Sequence, residues 1–369
     1  MKHINDKKVC LFLTDISDPG GIQRVVIELA NAMSKFNDVL IVSVYYESKG
    51  GIPHIPYELS DKVSVICLID KGKLKRKYIK KLYTSIKVLS LTIKLKKIRP
   101  DYIISHGMDS VIWSFLSAKL SRAKYICCDH TSYFRKPFWA RLGRKISRVF
   151  ADKIVVLTEL DVTMWDSELV VMIPNPLPFR VEKISAITER PKKILSIGRL
   201  VEVKGFRRLL DIWKVISDER KNNGYELNII GSGPMEAELR QYISKNDIKD
   251  VSLSEFTTEI KKIYNDARLV LVTSYYEGFS MVLIEAMYYG IPSISFDVNS
   301  GPREIIKNNS TGFLIKDYDN EEYINRLVEI INNETKIMQT MSNNCLSEVR
   351  KYELDEVMKK WDILLDSIC

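Results

Sequence analysis

Glu277 and Glu285 stand eight residues apart in the segment SYYEGFSMVLIEAMYYGIPSIS. An apolar run, Leu269 to Thr273, ends at the small polar Ser274. A glycine turn follows at Glu277-Gly278, and a helical stretch runs from about Phe279 to Tyr289. Gly290 and Pro292 close that stretch in the order expected at a helix C-terminus. The backbone N–H groups of Gly278, Phe279, Ser280 and Met281 would form an anion-binding helix start. Glu277 would lie in the mouth of the loop. Glu285 would lie just over one turn inside a helix whose neighbouring residues are apolar all round. A carboxylate at that depth needs hydrogen-bond donors, and sugar hydroxyls are such donors. The plainer alternatives are a helix-dipole carboxylate for Glu277 and a solvated helix residue for Glu285.

Three further loops follow apolar runs. Asp15 to Gln23 carries Gly20-Gly21 ahead of a helix; paired glycines let backbone approach a phosphate, or simply make a turn. In Gly198-Arg199-Leu200-Val201-Glu202-Val203-Lys204-Gly205 an arginine and a lysine stand five apart. Arg forks two phosphate oxygens and Lys supplies a mobile point charge, so both would offset a departing diphosphate; two solvated cations at an edge is the alternative. Gly231-Ser232-Gly233-Pro234 fits a nucleotide-facing loop or a tight turn with Pro at the first helical position. His130, in Cys127-Cys128-Asp129-His130-Thr131-Ser132, and the weaker His106 both sit at strand ends, where a lone histidine is more often structural.

These loops require a scaffold of strands and helices in alternation. The runs Val9–Thr14, Val39–Tyr45, Val63–Leu68, Tyr102–Ser105, Tyr125–Cys128, Ile154–Thr158 and Val170–Ile173 are mostly continuous, as in parallel strands buried on both faces. Ile22–Phe36 and Val111–Leu120 have helical periodicity between them. After Pro174-Asn175-Pro176-Leu177-Pro178 comes a polar, strand-poor stretch. A second set then begins: Ile194–Ile197, Leu227–Ile230, Val251–Leu253, Leu269–Thr273, Pro292–Phe296 and Gly312–Ile315. The fold class expected is α/β, with two Rossmann-like, doubly wound parallel-sheet domains facing across a cleft. The boundaries are 1–178 for the first domain, 179–192 for a linker, 193–352 for the second, and 353–369 for a last helix with Trp361, Leu364 and Leu365 on its apolar face.

At 369 residues the chain fits two domains, and 46% hydrophobic with 28% charged residues is a globular composition. The net charge of +9 and pI near 9.0 suggest an anionic partner: nucleic acid, nucleotide or membrane surface. Six cysteines without C-x-x-C spacing read as reduced core residues. The N-terminus has no long apolar run, so no signal peptide is expected, and no segment has the roughly 18 apolar residues of a membrane span.

Taken together and in this order, Gly20-Gly21, His130 in its H-T-S context, Ile173-Pro174-Asn175-Pro176, Gly198-Arg199…Lys204-Gly205, Gly231-Ser232-Gly233-Pro234 and the E-x7-E of Glu277 and Glu285 span nearly the whole chain. The set resembles the retaining GT-B glycosyltransferases of family four. The resemblance implies that Arg199 and Lys204 hold the diphosphate leaving group. It places Glu285 on the ribose, Glu277 on donor-sugar hydroxyls, and the Gly278–Met281 amides on sugar and phosphate. Gly21 would lie against the diphosphate, and His130 near donor sugar and acceptor. It implies no cofactor beyond the nucleotide-sugar donor and no metal, and no Asp-x-Asp is placed to hold a cation at the diphosphate. Retention would proceed by front-face transfer, with the leaving phosphate helping to deprotonate the acceptor. The resemblance also implies that the last helix returns to the first domain, which carries the acceptor side, while the second domain binds the nucleotide sugar. Ser254-Glu255 departs from the family's glycine near the base. The Asp297–Glu304 segment resembles relatives that use UDP-hexoses in lipopolysaccharide or O-antigen assembly.

Lys71 to Arg99 is densely basic without one Asp or Glu, and carries Leu74, Tyr78, Ile79, Leu82, Ile86, Leu89, Ile93 and Leu95 between the cations. Arg135 to Arg148 adds Arg135, Lys136, Arg141, Arg144, Lys145 and Arg148 beside Phe134, Phe138 and Trp139. Basic amphipathic segments read as membrane-surface binders, against the alternative of a solvated helix face. The resulting expectation is an enzyme peripheral to the cytoplasmic face of the inner membrane, acting on a lipid-linked or glycan acceptor. A GT-B sugar-nucleotide epimerase or hydrolase is the enzymatic alternative. A basic nucleic-acid-binding protein is the alternative of another class, unsupported by any recognised module.

Overall fold

The computed structural model describes residues 5–73, 77–134, 137–177, 184–255, 257, 259–333 and 337–368, with the backbone alone over 77–82. Two compact units emerge, residues 1–178 with 353–369, and residues 179–352.

The first unit is built on a seven-stranded parallel sheet. Its strands are β1 (Lys8–Asp15), β2 (Asp38–Tyr46), β5 (Val63–Asp70), β6 (Tyr102–His106), β7 (Lys124–Cys128), β8 (Lys153–Val156) and β9 (Val170–Met172), in the order β5-β2-β1-β6-β7-β8-β9. A small antiparallel hairpin, β3 (Ser48–Lys49) with β4 (Ile52–Pro53), interrupts the series and was not readable from the sequence. Helices α1 (Gly21–Met33), α2 (Lys77–Ile98), α3 (Met108–Ser121), α4 (Phe138–Phe150) and α5 (Glu159–Trp165) make the crossovers. The central strands are buried along their length: Leu11, Phe12, Ile103, Ile104 and Ile126 are fully inaccessible. That explains why their sequences are continuous apolar runs.

The second unit has a six-stranded parallel sheet of β10 (Lys193–Ile197), β11 (Glu226–Ile230), β12 (Val251–Ser254), β13 (Leu269–Val272), β14 (Ser293–Asp297) and β15 (Gly312–Lys316), ordered β12-β11-β10-β13-β14-β15. Its helices are α6 (Phe206–Asp218), α7 (Glu236–Lys245), α8 (Ile260–Asn265), α9 (Met281–Tyr288), α10 (Gly301–Ile305), α11 (Asn320–Asn332) and α12 (Gln339–Glu348).

The last helix, α13 (Leu354–Asp366), belongs to the first unit. It lies against α1, buries Val357, Trp361, Leu364 and Leu365, and accepts a 3.2 Å hydrogen bond from the Tyr102 hydroxyl at the Leu365 carbonyl. The stretch before β10 is fastened to the second unit by a buried arginine. Arg190 donates to the carbonyls of Ser185, Ala267 and Tyr289, and the Arg268 guanidinium donates back to the Arg190 carbonyl. Residues 184–192, read from the sequence as linker, are therefore part of the second unit's packing. The rest of that linker, residues 179–183, lies outside the described residues with Pro178.

In each sheet the strand order reverses once, between β1 and β6 and between β10 and β13. Ligands in open parallel sheets bind beyond the carboxyl ends of the strands at such switch points.

Candidate active site

In the second unit the switch point carries Lys204 after β10 and Glu277 after β13. The Lys204 ammonium donates to Glu277 Oε1 at 2.7 Å, and the Ser274 hydroxyl donates to the same oxygen at 2.7 Å. The Glu277 side chain is 8% exposed and that of Lys204 28%. The second oxygen, Oε2, accepts nothing from the described residues. Lys204, Ser274, Glu277 and Ser280 line one pocket. A nearly buried carboxylate with one oxygen satisfied and one free is built to accept a hydrogen bond from a ligand hydroxyl.

The backbone around the pair is stitched across the two loops. Tyr275 N–H donates to the Val203 carbonyl at 2.9 Å and the Thr273 hydroxyl to the Gly205 carbonyl at 3.0 Å. Gly205 has φ +66°, and a Cβ there would stand 2.0 Å from the Thr273 carbonyl oxygen. Only glycine permits both the left-handed turn and this approach, which sets Lys204 opposite Glu277. Arg199, in the same loop, is exposed and makes no ion pair among the described residues.

Helix α9 begins at Met281, two residues later than the sequence pattern implied, because Phe279 packs edge-on against Tyr352 at 5.7 Å and Ser280 is extended. Its start has neither a capping side chain nor an acidic residue in the first turn; α6, which follows Gly205, shares both features. By contrast α11 has a capping Asp319 and two glutamates there. Helix ends without their own acceptors favour an anion. Glu285 is 5% exposed, so it is not a solvated residue. Its Oε2 accepts a 2.8 Å hydrogen bond from Tyr264, whose ring stacks on Tyr289 at 5.4 Å.

The Gly231-Ser232-Gly233-Pro234 loop has a backbone duty. A Cβ on Gly231 would lie 1.8 Å from the Gly198 carbonyl, and one on Gly233 2.4 Å from that of Leu200. These glycines let the loops after β10 and β11 touch. Pro234 is not the first helical residue, since α7 starts at Glu236 after a turn held by Met235 N–H on the Leu200 carbonyl.

In the first unit the half-buried Gly20 is the N-cap of α1 and Gly21 its exposed first residue, and no side chain caps this end. His106 and His130, which looked like two unrelated strand-end histidines, form a pair: Nδ1 of His106 and Nε2 of His130 are 3.0 Å apart and the rings stack at 5.2 Å. Burial drives the His106 pKa well below its usual range, with His130 adding to the effect. Burial also lowers that of His130 to about 4, opposed by the Asn175 side chain. Both rings are therefore neutral near pH 7, which needs no sequence motif but could not be read without the strand order.

Cys128 joins them, its ligand atom within 4.8 Å of theirs. Burial holds its thiol far above the ordinary range. The cluster is built as a neutral hydrogen-bonded pair. Unfolding restores a His pKa near 6.5. The unfolded chain thus takes up protons first, and stability present above about pH 6.5 is lost as pH falls toward 4. The midpoint of thermal unfolding should drop by on the order of 5 °C between pH 7 and 4.5, at roughly 2–4 °C per kcal/mol. A His106→Gln/His130→Asn variant should show a shallower slope; equal slopes would refute the assignment.

The pattern of Glycosyltransferase Family 4 matches residues 19–176 and that of Glycosyl transferases group 1 residues 180–347. The chain is 31% identical to the amylovoran biosynthesis glycosyltransferase AmsD of Erwinia amylovora, over 97% of this chain and 99% of that one. It is 26% identical, over 95% and 96%, to a Campylobacter jejuni α-1,4-N-acetyl-D-galactosaminyltransferase named for an undecaprenol-diphosphate-linked acceptor. The crystal structure of Anabaena HepE in complex with UDP and glucose superposes with a TM-score of 0.78 at 17% identity, covering 98% of this chain and all of that one, and shares the fold. The protein is a GT-B glycosyltransferase and belongs to glycosyltransferase family four.

Proposed function

We propose that the protein is a retaining, metal-independent transferase. It moves a hexose or N-acetylhexosamine from a UDP-linked donor to a membrane-associated glycan or glycolipid during bacterial surface-polysaccharide synthesis, in O-antigen, lipopolysaccharide or capsule. The observation that carries this reading is the Lys204–Glu277 pair between uncapped helix starts at the switch point. Lys204 and Arg199 meet the departing diphosphate, with the α9 amides beside them. The free Oε2 of Glu277 accepts from a sugar hydroxyl, and Glu285 from the ribose. Charge that develops on the leaving group as the glycosidic bond stretches is met by groups already in place, the largest usual source of rate. His130, held by His106, belongs to the acceptor side. In support, HepE was crystallised with UDP and glucose, and the Campylobacter relative is named for a lipid-linked acceptor.

A nucleotide panel tests the donor half. UDP should raise the unfolding temperature more than GDP or ADP, since a ligand at 100 times its Kd adds about 2.7 kcal/mol. No response to any of the three would sink the reading, and a preference for GDP would overturn its UDP part.

Placement at the cytoplasmic face of the inner membrane rests on α2. No helix among the described residues is long and apolar enough to cross a bilayer. Thr84, Val88, Leu91, Thr92 and Leu95 are buried, and Thr92 shares a 2.7 Å hydrogen bond with Ser117 of α3. Yet Ile86, Leu89 and Ile93 are 56%, 52% and 56% exposed on the opposite side, flanked by the exposed Lys94, Lys96 and Lys97. A second apolar stripe edged by cations suits an anionic lipid surface. Exposed Phe138 and Trp139 at the start of α4 add to it. Arg144, counted with this cluster from the sequence, is instead buried on Asp129 at 2.7 Å. Lys75, Arg76, Arg135, Lys136 and the side chains of Lys77, Lys80 and Lys81 lie outside the described residues.

A further inference from the structure

Arg208 is a cation that the reading above does not use. It is the third residue of α6, four residues beyond Lys204, and its side chain is only 6% exposed. One terminal nitrogen donates to Asp317 Oδ1 at 2.7 Å; the other donates to the carbonyls of Thr273 at 2.6 Å and Ser274 at 3.1 Å. The guanidinium carbon stands 3.8 Å from the Phe296 ring centroid and 4.5 Å from that of Tyr275. Its Nε is buried without a partner. A buried guanidinium with an unmet donor is costly, so a stabilising role alone is poorly served by this arrangement.

The two carbonyls it grips belong to the two residues that follow β13, where the strand gives way to the loop carrying Glu277. Ser274 is the residue whose hydroxyl donates to Glu277 Oε1. The chain of contacts is short: guanidinium, Ser274 backbone, Ser274 hydroxyl, Glu277 carboxylate. One guanidinium nitrogen holds both carbonyls while the other is anchored on Asp317, a span between two fixed nitrogens that the single nitrogen of a lysine reproduces only in part. We infer that Arg208 is the positioning residue for Glu277, aiming its free oxygen at the donor sugar while leaving the diphosphate subsite untouched. This rests on the assignment of Glu277 to the sugar.

The test compares UDP with UDP-sugars, so that the sugar increment is read separately. Dissociation constants are measured for UDP, UDP-glucose, UDP-galactose and UDP-N-acetylglucosamine, using wild type, Arg208→Met, Arg208→Lys and Arg207→Ala. Arg207 is the control: it neighbours Arg208 in sequence, but is exposed and reaches Glu238 at 3.5 Å. Arg208→Met should reduce the gain of the preferred UDP-sugar over UDP about tenfold and change UDP affinity less than about twofold. kcat should fall more than KM rises for the acceptor. Arg208→Lys should recover part of the sugar increment, and Arg207→Ala should match wild type. Equal weakening of UDP and UDP-sugar in both Arg208 variants, or no change in either, would overturn the inference while leaving the donor reading intact. Should Arg208→Met fail to fold, Arg208→Lys and Asp317→Asn, which removes the partly exposed anchor, carry the same comparison. A wild type that binds no nucleotide at all would overturn both readings.

Discussion

Lys204→Ala should lower kcat/KM for sugar transfer by roughly 10²–10³-fold, the usual cost of removing one preorganised group from the site of developing charge. The loss has two sources. The departing diphosphate loses a cation, and Glu277 keeps only the Ser274 hydroxyl as a donor in a nearly buried position. UDP and UDP-sugar should therefore both bind more weakly. Glu277→Gln separates these effects. It keeps the shape of the side chain but frees Lys204 from its carboxylate partner, so UDP affinity should hold or rise while the extra affinity conferred by the sugar disappears. Opposite effects of the two substitutions on UDP binding would be hard to obtain from general destabilisation. Near-wild-type transfer by Lys204→Ala, measured with donor below KM, would remove the central element of the mechanism.

Much of this site was legible in the sequence because its elements obey local rules. Continuous apolar runs located the central strands of both sheets, since strands buried on two faces leave no room for alternation. The burial of Glu285 followed from apolar neighbours on every side of one short helix. Other features depend on strand order, which local pattern does not carry. Only the placement of β6 beside β7 brings His106 to His130. The glycines of the loop after β11 fitted a nucleotide-facing loop or a tight turn, and what the sequence did not carry is that their missing side chains admit a neighbouring backbone. Arg207 and Arg208 are indistinguishable as letters, yet one reaches out to Glu238 and the other inward to Thr273 and Ser274. A periodic signal did exist: Arg208 stands four and eight residues before Ile212 and Ile216, both fully buried, on the face a solvated arginine avoids.

The largest effect outside the Lys204–Glu277 pair is expected at α2. Its outward residues, Ile86, Leu89 and Ile93, fall on the helix side about 180° from Val88, Leu91 and Leu95. Substituting the outward three by Ser should spare the fold, because the buried stripe is untouched. Replacing Lys94, Lys96 and Lys97 by Gln removes about 1 kcal/mol of lipid attraction each, or about two orders of magnitude together. In flotation assays the wild type should rise with liposomes containing phosphatidylglycerol, and less so as salt is raised. It should remain at the bottom with phosphatidylcholine alone. The lysine variant should lose the anionic preference. The serine variant should lose retention at high salt, where only inserted side chains still hold the protein. The two variants would thus remove different parts of the proposed interaction, in which charge gathers the enzyme at the surface and the apolar stripe keeps it there. Equal flotation of wild type and both variants, or none by the wild type, would assign the exposed stripe of α2 to something other than lipid.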